Sequence, residues 1–457
     1  MTITGVSMNS IRRVALACFA LPFLAAAQQP AHAAWTRNAV IYEVNVRQYS
    51  PEGTIAGVRK QLPRLKALGV DILWMMPLQP IGVMNRKGPL GSPYSVSDYR
   101  KINPEFGTAA DVHDFVTAAH RRGLRVILDW VPNHTAYDHP WITAHPDWYE
   151  HKADGSIMNA RDNEGHETDW TDVAELNYDN PAMRRAMIAD MAWWLRTMKI
   201  DGFRCDVAGG VPDNFWTEAR RELGKVKPDL FMLAEAEAPA MHPAFDMTYG
   251  WQLHHLLNEI AQGKKAPAEI DTYLAEQARA YPADAYRMYF TSNHDENSWN
   301  GTEFERMGAN NQPAFVLAAT LAGSFPLLYT GQESGLSRRL KFFEKDPVVW
   351  TGTSYADFYH TLFALKHTSP ALRNGAAGGA QSPLLTDGND KSYAFTRTRG
   401  ASSILVAVNF SDAPVHLTYR HLTSTGRYTD AFSHVVINFG STGTFNVPPH
   451  GFRVLSR

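Results

Sequence analysis

Short apolar runs that end in polar residues recur along the chain, and stretches with helical periodicity separate them. Residues 39–49 read as a first strand and 57–68 as a helix. Strand 71–77, helix 109–122 and strand 124–131 follow. Next come helix 181–199, strand 202–207, helix 212–223 and strand 231–237. A weaker strand, 244–250, precedes helices 253–262 and 267–280. Strand 287–293, helix 312–322, strand 325–330 and helix 355–373 close the series. Eight strands, each followed by helix, predict a parallel sheet closed into a (β/α)8 TIM barrel.

Two regions break the rhythm. Residues 132–180 lack helical periodicity and are too long for a plain loop, which predicts an inserted domain after strand three. Residues 374–379 (NGAAGG) read as a flexible linker. Beyond it, short strands at 392–397, 403–410, 415–419, 435–439 and 453–455 predict a C-terminal antiparallel β-sandwich over 380–457. The barrel then occupies 34–131 and 181–373.

Four of the strands end in carboxylates. They lie within 126–134 (VILDWVPNH), 201–207 (DGFRCDV), 231–237 (FMLAEAE) and 289–296 (YFTSNHDE), and supply Asp129, Asp206, Glu235, Glu237 and Asp295. An acid at a strand end can cap the next helix. Four such ends beside His, Asn, Arg or a second acid instead predict one site at the C-terminal face of the barrel.

Composition adds little. The 457 residues exceed one ordinary domain, and 44 basic against 46 acidic residues give a net charge of −2. No basic stripe suggests nucleic acid. Twelve Trp and eighteen Tyr suit a sugar cleft and a large core equally. Near the start, Arg12-Arg13, the apolar run 14–27 and Ala31-His32-Ala33 read as a signal peptide over 1–33. The reading implies export to periplasm or medium, with no membrane attachment after cleavage. Cys18 sits in a poor lipobox and leaves with the signal. Cys205 then stands as a lone buried hydrophobe, so no intrachain disulfide forms.

Cleaving a glycosidic bond takes two carboxyl groups flanking it. Arg204 and Asp206, two residues apart in a strand, share a face. The guanidinium is expected to hold Asp206 ionised with a lowered pKa, as a nucleophile needs. Glu235 follows Phe231-Met232-Leu233-Ala234, whose apolar setting is expected to raise its pKa and keep the proton of a general acid.

These segments resemble the signature regions of the α-amylase family, glycoside hydrolase family thirteen. Asp129 through His134, Gly202 through Asp206, Glu235, and Asn293-His294-Asp295 match its four regions. Pro93 through Tyr99 and Gly331-Gln332-Glu333 fit as well, and the resemblance spans 39–457. It implies Asp206 as nucleophile, Glu235 as acid and then base, and Asp295 as the residue that binds and distorts the sugar. Arg204 would hold Asp206, His134 and His294 would donate to sugar hydroxyls, and Tyr94 would offer a ring face. Asp129 would be structural. The implied activity is retaining cleavage of α-1,4 bonds in starch, glycogen or maltodextrins. A transglycosylase or α-glucosidase of the family shares the triad, and a catalytically silent sugar-binding relative would lack part of it. Two departures stand out: Gly209-Gly210 replaces the Lys-His of many members, and Ala174-Glu175-Leu176-Asn177 replaces a common Asp-Leu-Asn. The chemistry needs no cofactor. Calcium is implied only through Asn133, and the insertion's His139, His145, His151 and His166 lack metal spacing.

Overall fold

In the computed structural model, residues 31–350, 355–387 and 390–457 are described. The signal-peptide reading falls almost wholly outside them. Among the described residues no helix is long and apolar enough to cross a membrane.

Eight parallel strands close into a barrel in chain order: β1 (Ile41–Val44), β2 (Ile72–Met75), β3 (Arg125–Trp130), β4 (Gly202–Cys205), β5 (Phe231–Ala234), β6 (Met247–Tyr249), β7 (Tyr286–Tyr289) and β8 (Ser324–Tyr329). Alternation along the strands sorts their side chains into two cores. Ile41, Ile72, Trp74, Ile127, Phe231, Leu233, Met288 and Leu327 fill the barrel interior. Tyr42, Leu73, Leu128, Phe203, Met232 and Leu328 face the helical layer. The same alternation turns Asp129 and Arg204 inward and Cys205 outward, where the thiol is fully buried in the helix-facing core.

The insertion leaves the end of β3. Strand His134–Ala136 pairs antiparallel with Val173–Glu175, and a short helix, Pro140–Ala144, follows the first of them. It ends where the Asn180 side chain caps helix Pro181–Trp193 by accepting from Ala182 N and Met183 N. Trp141 and Trp148 pack edge to face on each other, 4.9 Å between centroids.

Three expectations need correction. The first strand stops at Val44, and Val46–Tyr49 forms a helical turn. From this turn the buried Arg47 guanidinium donates to Gly91 O (3.0 Å) and Phe342 O (3.1 Å), which fixes it outside the barrel ladder. The helix expected over 57–68 is two, Ile55–Lys60 and Leu62–Leu68. Pro63, which has no N–H to donate, stands in the first turn of the second. The segment 374–379 is anchored, not a flexible linker. Asn374 is buried and donates to Thr36 O (2.7 Å) and Ala39 O (3.2 Å), and Gly379 N reaches Ala371 O.

The C-terminal region stacks a six-stranded antiparallel sheet on a three-stranded one, with Leu405, Leu417, Tyr428, Val447 and Leu455 between them. Strands Ala380–Pro383, Gly426–Asp430 and Gly443–Val447 add to those expected. Arg397 ties this unit to the barrel. It is 1% exposed and donates to Gly379 O, Thr320 O, Leu321 O and Arg373 O at 3.0–3.3 Å. Arg397→Ala strands those carbonyls in a dry interface. The expected loss is about 3 kcal/mol or more, read as a lower calorimetric unfolding temperature. An unchanged midpoint would refute the anchoring role.

Candidate functional site

A cavity of about 660 Å³ opens at the C-terminal ends of the barrel strands. Tyr94, His134, Asp206, Glu235, His294 and Asp295 all line it. Arg204 lies beneath the floor, with no exposed side-chain surface. Exposure then rises from Asp206 (9%) through Glu235 (12%) to Asp295 (35%), so a ligand entering from solvent meets all three acids.

Arg204 organises the floor. Its Nη1 donates to Asp206 Oδ1 (2.8 Å) and to Asp129 Oδ1 (2.9 Å), and its Nε to Tyr249 Oη (3.1 Å). Its Nη2 lies 2.6 Å from Glu235 Oε1 as an ion pair without a hydrogen bond. The rings of Trp74, Tyr94 and Tyr249 surround the guanidinium at 5.1–5.8 Å. Asp129 is saturated by donors, since its Oδ2 also accepts from Trp74 Nε1 (3.1 Å) and Tyr94 Oη (3.0 Å). It does not line the cavity.

The carboxyl groups differ from expectation in one respect. Asp206 is not held below the ordinary range. Burial pushes it up, Arg204 pulls it back, and Asp129 pushes it again, leaving it at about 6. One guanidinium shared among three carboxyls cannot cancel the desolvation of each. Glu235 is raised as expected, to about 7, by burial first, opposed by Arg204 and reinforced by Asp206 and Asp295. Both carboxyls therefore hold their protons to higher pH than free ones.

The two histidines diverge. Burial lowers His134 to about 4, so it is neutral near pH 7. Burial also opposes charge on His294, but Asp295 and Glu43 outweigh it and raise the ring to about 9. Glu43 Oε1 lies 2.5 Å from its Nδ1, and Asp295 Oδ2 lies 3.2 Å from its Nε2. As an imidazolium, its Nε2 donates to Tyr94 Oη (2.8 Å), whose own proton goes to Asp129. Tyr94 also stacks on His294 (5.3 Å) and Phe342 (6.2 Å), and Trp299 continues the aromatic wall at 5.2 Å from Phe342.

Val207 follows Asp206 with φ +43°. A β-branched residue rarely adopts this conformation, and the strain falls next to reactive groups. It aims the Val207 N–H at Glu235 Oε2, 2.8 Å away.

Several expectations fall elsewhere. Glu237 pairs with Arg287 and accepts from Gln252 N, away from the cavity. Glu333 pairs with Arg64 (3.0 Å), and Gln332 donates to Glu303. Of the insertion's tryptophans, Trp170 lines the cavity. Asn133 Nδ2 donates to Glu175 Oε2 (3.2 Å) and Arg161 O (2.9 Å), and burial raises Glu175 to about 7. Calcium takes six to eight oxygens, several of them ionised. Here Glu175 is the one carboxylate beside the Asn133 amide and Arg161 O, and among the described residues no group of three His, Cys, Asp or Glu gathers there.

The sequence reading missed Glu43, Trp74, Tyr249, Lys87, Trp299, Phe342 and Phe343. Glu43 had a signal, being an acid at an inward strand position between Tyr42 and Val44. The others come from loops or neighbouring strands that only the closed barrel brings together.

Comparison with known proteins agrees with this geometry. The profile described as "Alpha amylase, catalytic domain" matches residues 36–357, and "Maltogenic Amylase, C-terminal domain" matches 384–454. The chain is 30% identical to the α-amylase MalA of Haloarcula japonica over 85% of its own length and 58% of that protein's. It is 26% identical to an α-1,4-glucan:maltose-1-phosphate maltosyltransferase of Streptomyces coelicolor over 85% and 60%. It thus spans somewhat over half of each. The crystal structure of an α-amylase from Lactobacillus plantarum superposes with TM-score 0.82 at 30% identity, covering 93% of this chain and 99% of the other.

Proposed function

Because the chain belongs to the α-amylase family, we propose that its cavity cleaves α-1,4-glucosidic bonds of starch, glycogen or maltodextrins with retention at the anomeric carbon. Asp206 attacks the anomeric carbon while Glu235 protonates the leaving oxygen. Water, deprotonated by Glu235, then releases the glycosyl group from Asp206. Asp295 and His294 hold the sugar's hydroxyls, Tyr94 offers its ring, and neutral His134 contributes one N–H.

One observation carries the reading: a single guanidinium touches both Asp206 and Glu235. Retaining enzymes place the two carboxyls about 5–5.5 Å apart and inverting enzymes about 6.5–9.5 Å. Sharing one guanidinium favours the closer pair.

The cavity's charge favours neutral glucans over sugar phosphates. Among the described lining residues, Asp162, Glu164, Asp169 and Asp172 add to Asp206 and Asp295, against the His294 imidazolium and Lys87, which lies 3.7 Å from Asp172. A phosphorylated donor meets this field as a like charge. Export, read from Arg12-Arg13 and the apolar run 14–27, suits an enzyme acting on polymers outside the cell.

Proton NMR of fresh maltoheptaose digests tests the proposal. The first products are expected as α-anomers, with shorter oligosaccharides dominating and no transfer from maltose 1-phosphate. β-Anomers, or no cleavage, would refute it.

A further inference from the structure

The glycine pair at 209–210 looks like a loss of side chains at the mouth of the site. The structure gives it another meaning. Neither glycine has positive φ, so backbone conformation does not demand them. Space does. A Cβ at 209 would stand 2.7 Å from Asn163 Oδ1, and one at 210 would stand 2.9 Å from Asn133 Oδ1 and 3.1 Å from Asp162 O. The tip of an insertion hairpin occupies the room that side chains would take.

The tip is a built element. Asp162 Oδ1 accepts from Glu164 N (3.0 Å) and His166 N (2.8 Å), and Gly165 N reaches Asp162 O. At its base, Arg161 N donates to Glu175 Oε2 (2.8 Å) and Arg161 O accepts from Asn133. The Asn133–Glu175 cluster thus seats the hairpin. At its top, Gly209 N donates to Asn163 Oδ1 (2.8 Å).

Orientation follows from the acid. Glu235 protonates the leaving oxygen, so the departing sugar lies on the Glu235 side. That side is Val207, whose N–H holds Glu235, and the turn Ala208–Gly210 on which the tip rests. Asn163, held to that turn by Gly209 N, and its neighbour Glu164 line the cavity, while Tyr94, His294 and Phe342 stack together as a separate wall.

We propose that the hairpin tip Asp162–His166, seated on Gly209-Gly210, is the wall that receives the leaving-side glucosyl unit, with Asn163 fixing the wall and Glu164 accepting hydrogen bonds from the neutral sugar's hydroxyls. The inference rests on the glucan-cleaving reading above.

The test compares kcat/KM on maltoheptaose with kcat/KM on 4-nitrophenyl α-maltoside, whose aryl group departs without a leaving-side sugar. The ratio of the two cancels the fraction of folded enzyme. Glu164→Ala and Asn163→Ala are each expected to lower it about fivefold or more, the worth of one hydrogen bond. Gly209→Ala, which displaces Asn163, is expected to match Asn163→Ala. A fall in Glu164→Ala alone keeps the wall and overturns the seat. Ratios within about 1.5-fold of wild type in all three variants, well inside the effect of one hydrogen bond, overturn the inference. Wild-type enzyme inert on maltoheptaose removes the parent reading and this one together, whereas active wild type with unmoved ratios removes only this one.

Discussion

Asp206→Asn is expected to lower kcat on maltoheptaose by at least about four orders of magnitude, roughly 5 kcal/mol of barrier, as loss of a covalent nucleophile does elsewhere. The amide keeps the shape of the carboxylate and can still accept from Arg204 Nη1, 2.8 Å away in the wild type. It cannot form the glycosyl ester. Binding should survive, because Tyr94, His134, His294 and Asp295 remain in the cavity. Calorimetric titration with maltoheptaose should therefore give a dissociation constant within about tenfold of wild type, or 1.4 kcal/mol. The substitution also removes one of three carboxyls competing for a single guanidinium, so the fold should not weaken. A variant that turns over within tenfold of wild type would dismiss Asp206 as nucleophile, since a tenfold loss is only 1.36 kcal/mol of barrier. One that loses turnover and binding together would point to a collapsed floor.

The barrel was legible in the sequence because its strands carry two signals at once. Apolar residues face the interior core and the helix layer alternately, and a carboxylate ends four of the runs. Asp206, Glu235 and Asp295 follow directly, and the structure brings them to one cavity. What was not legible is mostly convergence. That Arg204 serves Asp129, Asp206 and Glu235 together depends on β3, β4 and β5 being neighbours in register. Burial raises Asp206 to about 6, above the ordinary carboxylate range, and the shared guanidinium offsets that only in part. Gly209-Gly210 read only as a departure from the Lys-His of many family members, because spacing along the chain does not reveal the insertion hairpin that arrives against them. Strand Ala380–Pro383 escaped notice for a simpler reason: it is largely exposed and carries no apolar alternation. Val46–Tyr49 reads as strand from its apolar residues, but the chain turns there and ties the buried Arg47 to loop carbonyls that spacing along the chain does not reveal.

Glu235→Gln is expected to separate the proton's role from the pocket's. On maltoheptaose, whose leaving hydroxyl is a poor leaving group, kcat should fall roughly 10²–10⁴-fold. On 2-chloro-4-nitrophenyl α-maltotrioside the phenolate departs without a proton, so the loss at the first step should be far smaller. The pH profile carries the second half of the test. Asp206 must be ionised, so kcat/KM of the wild type should rise through about pH 6, and Glu235 must keep its proton, so it should fall through about pH 7. The result is a narrow bell whose two limbs belong to the Asp129–Asp206–Glu235 cluster as a unit. His294, held near 9 by Asp295 and Glu43 against burial, titrates too high to cause the descending limb. In Glu235→Gln the ascending limb should remain and the fall near 7 should vanish. If the variant keeps a descending limb near 7, the proton lost there belongs to another group, and Glu235 is not the acid.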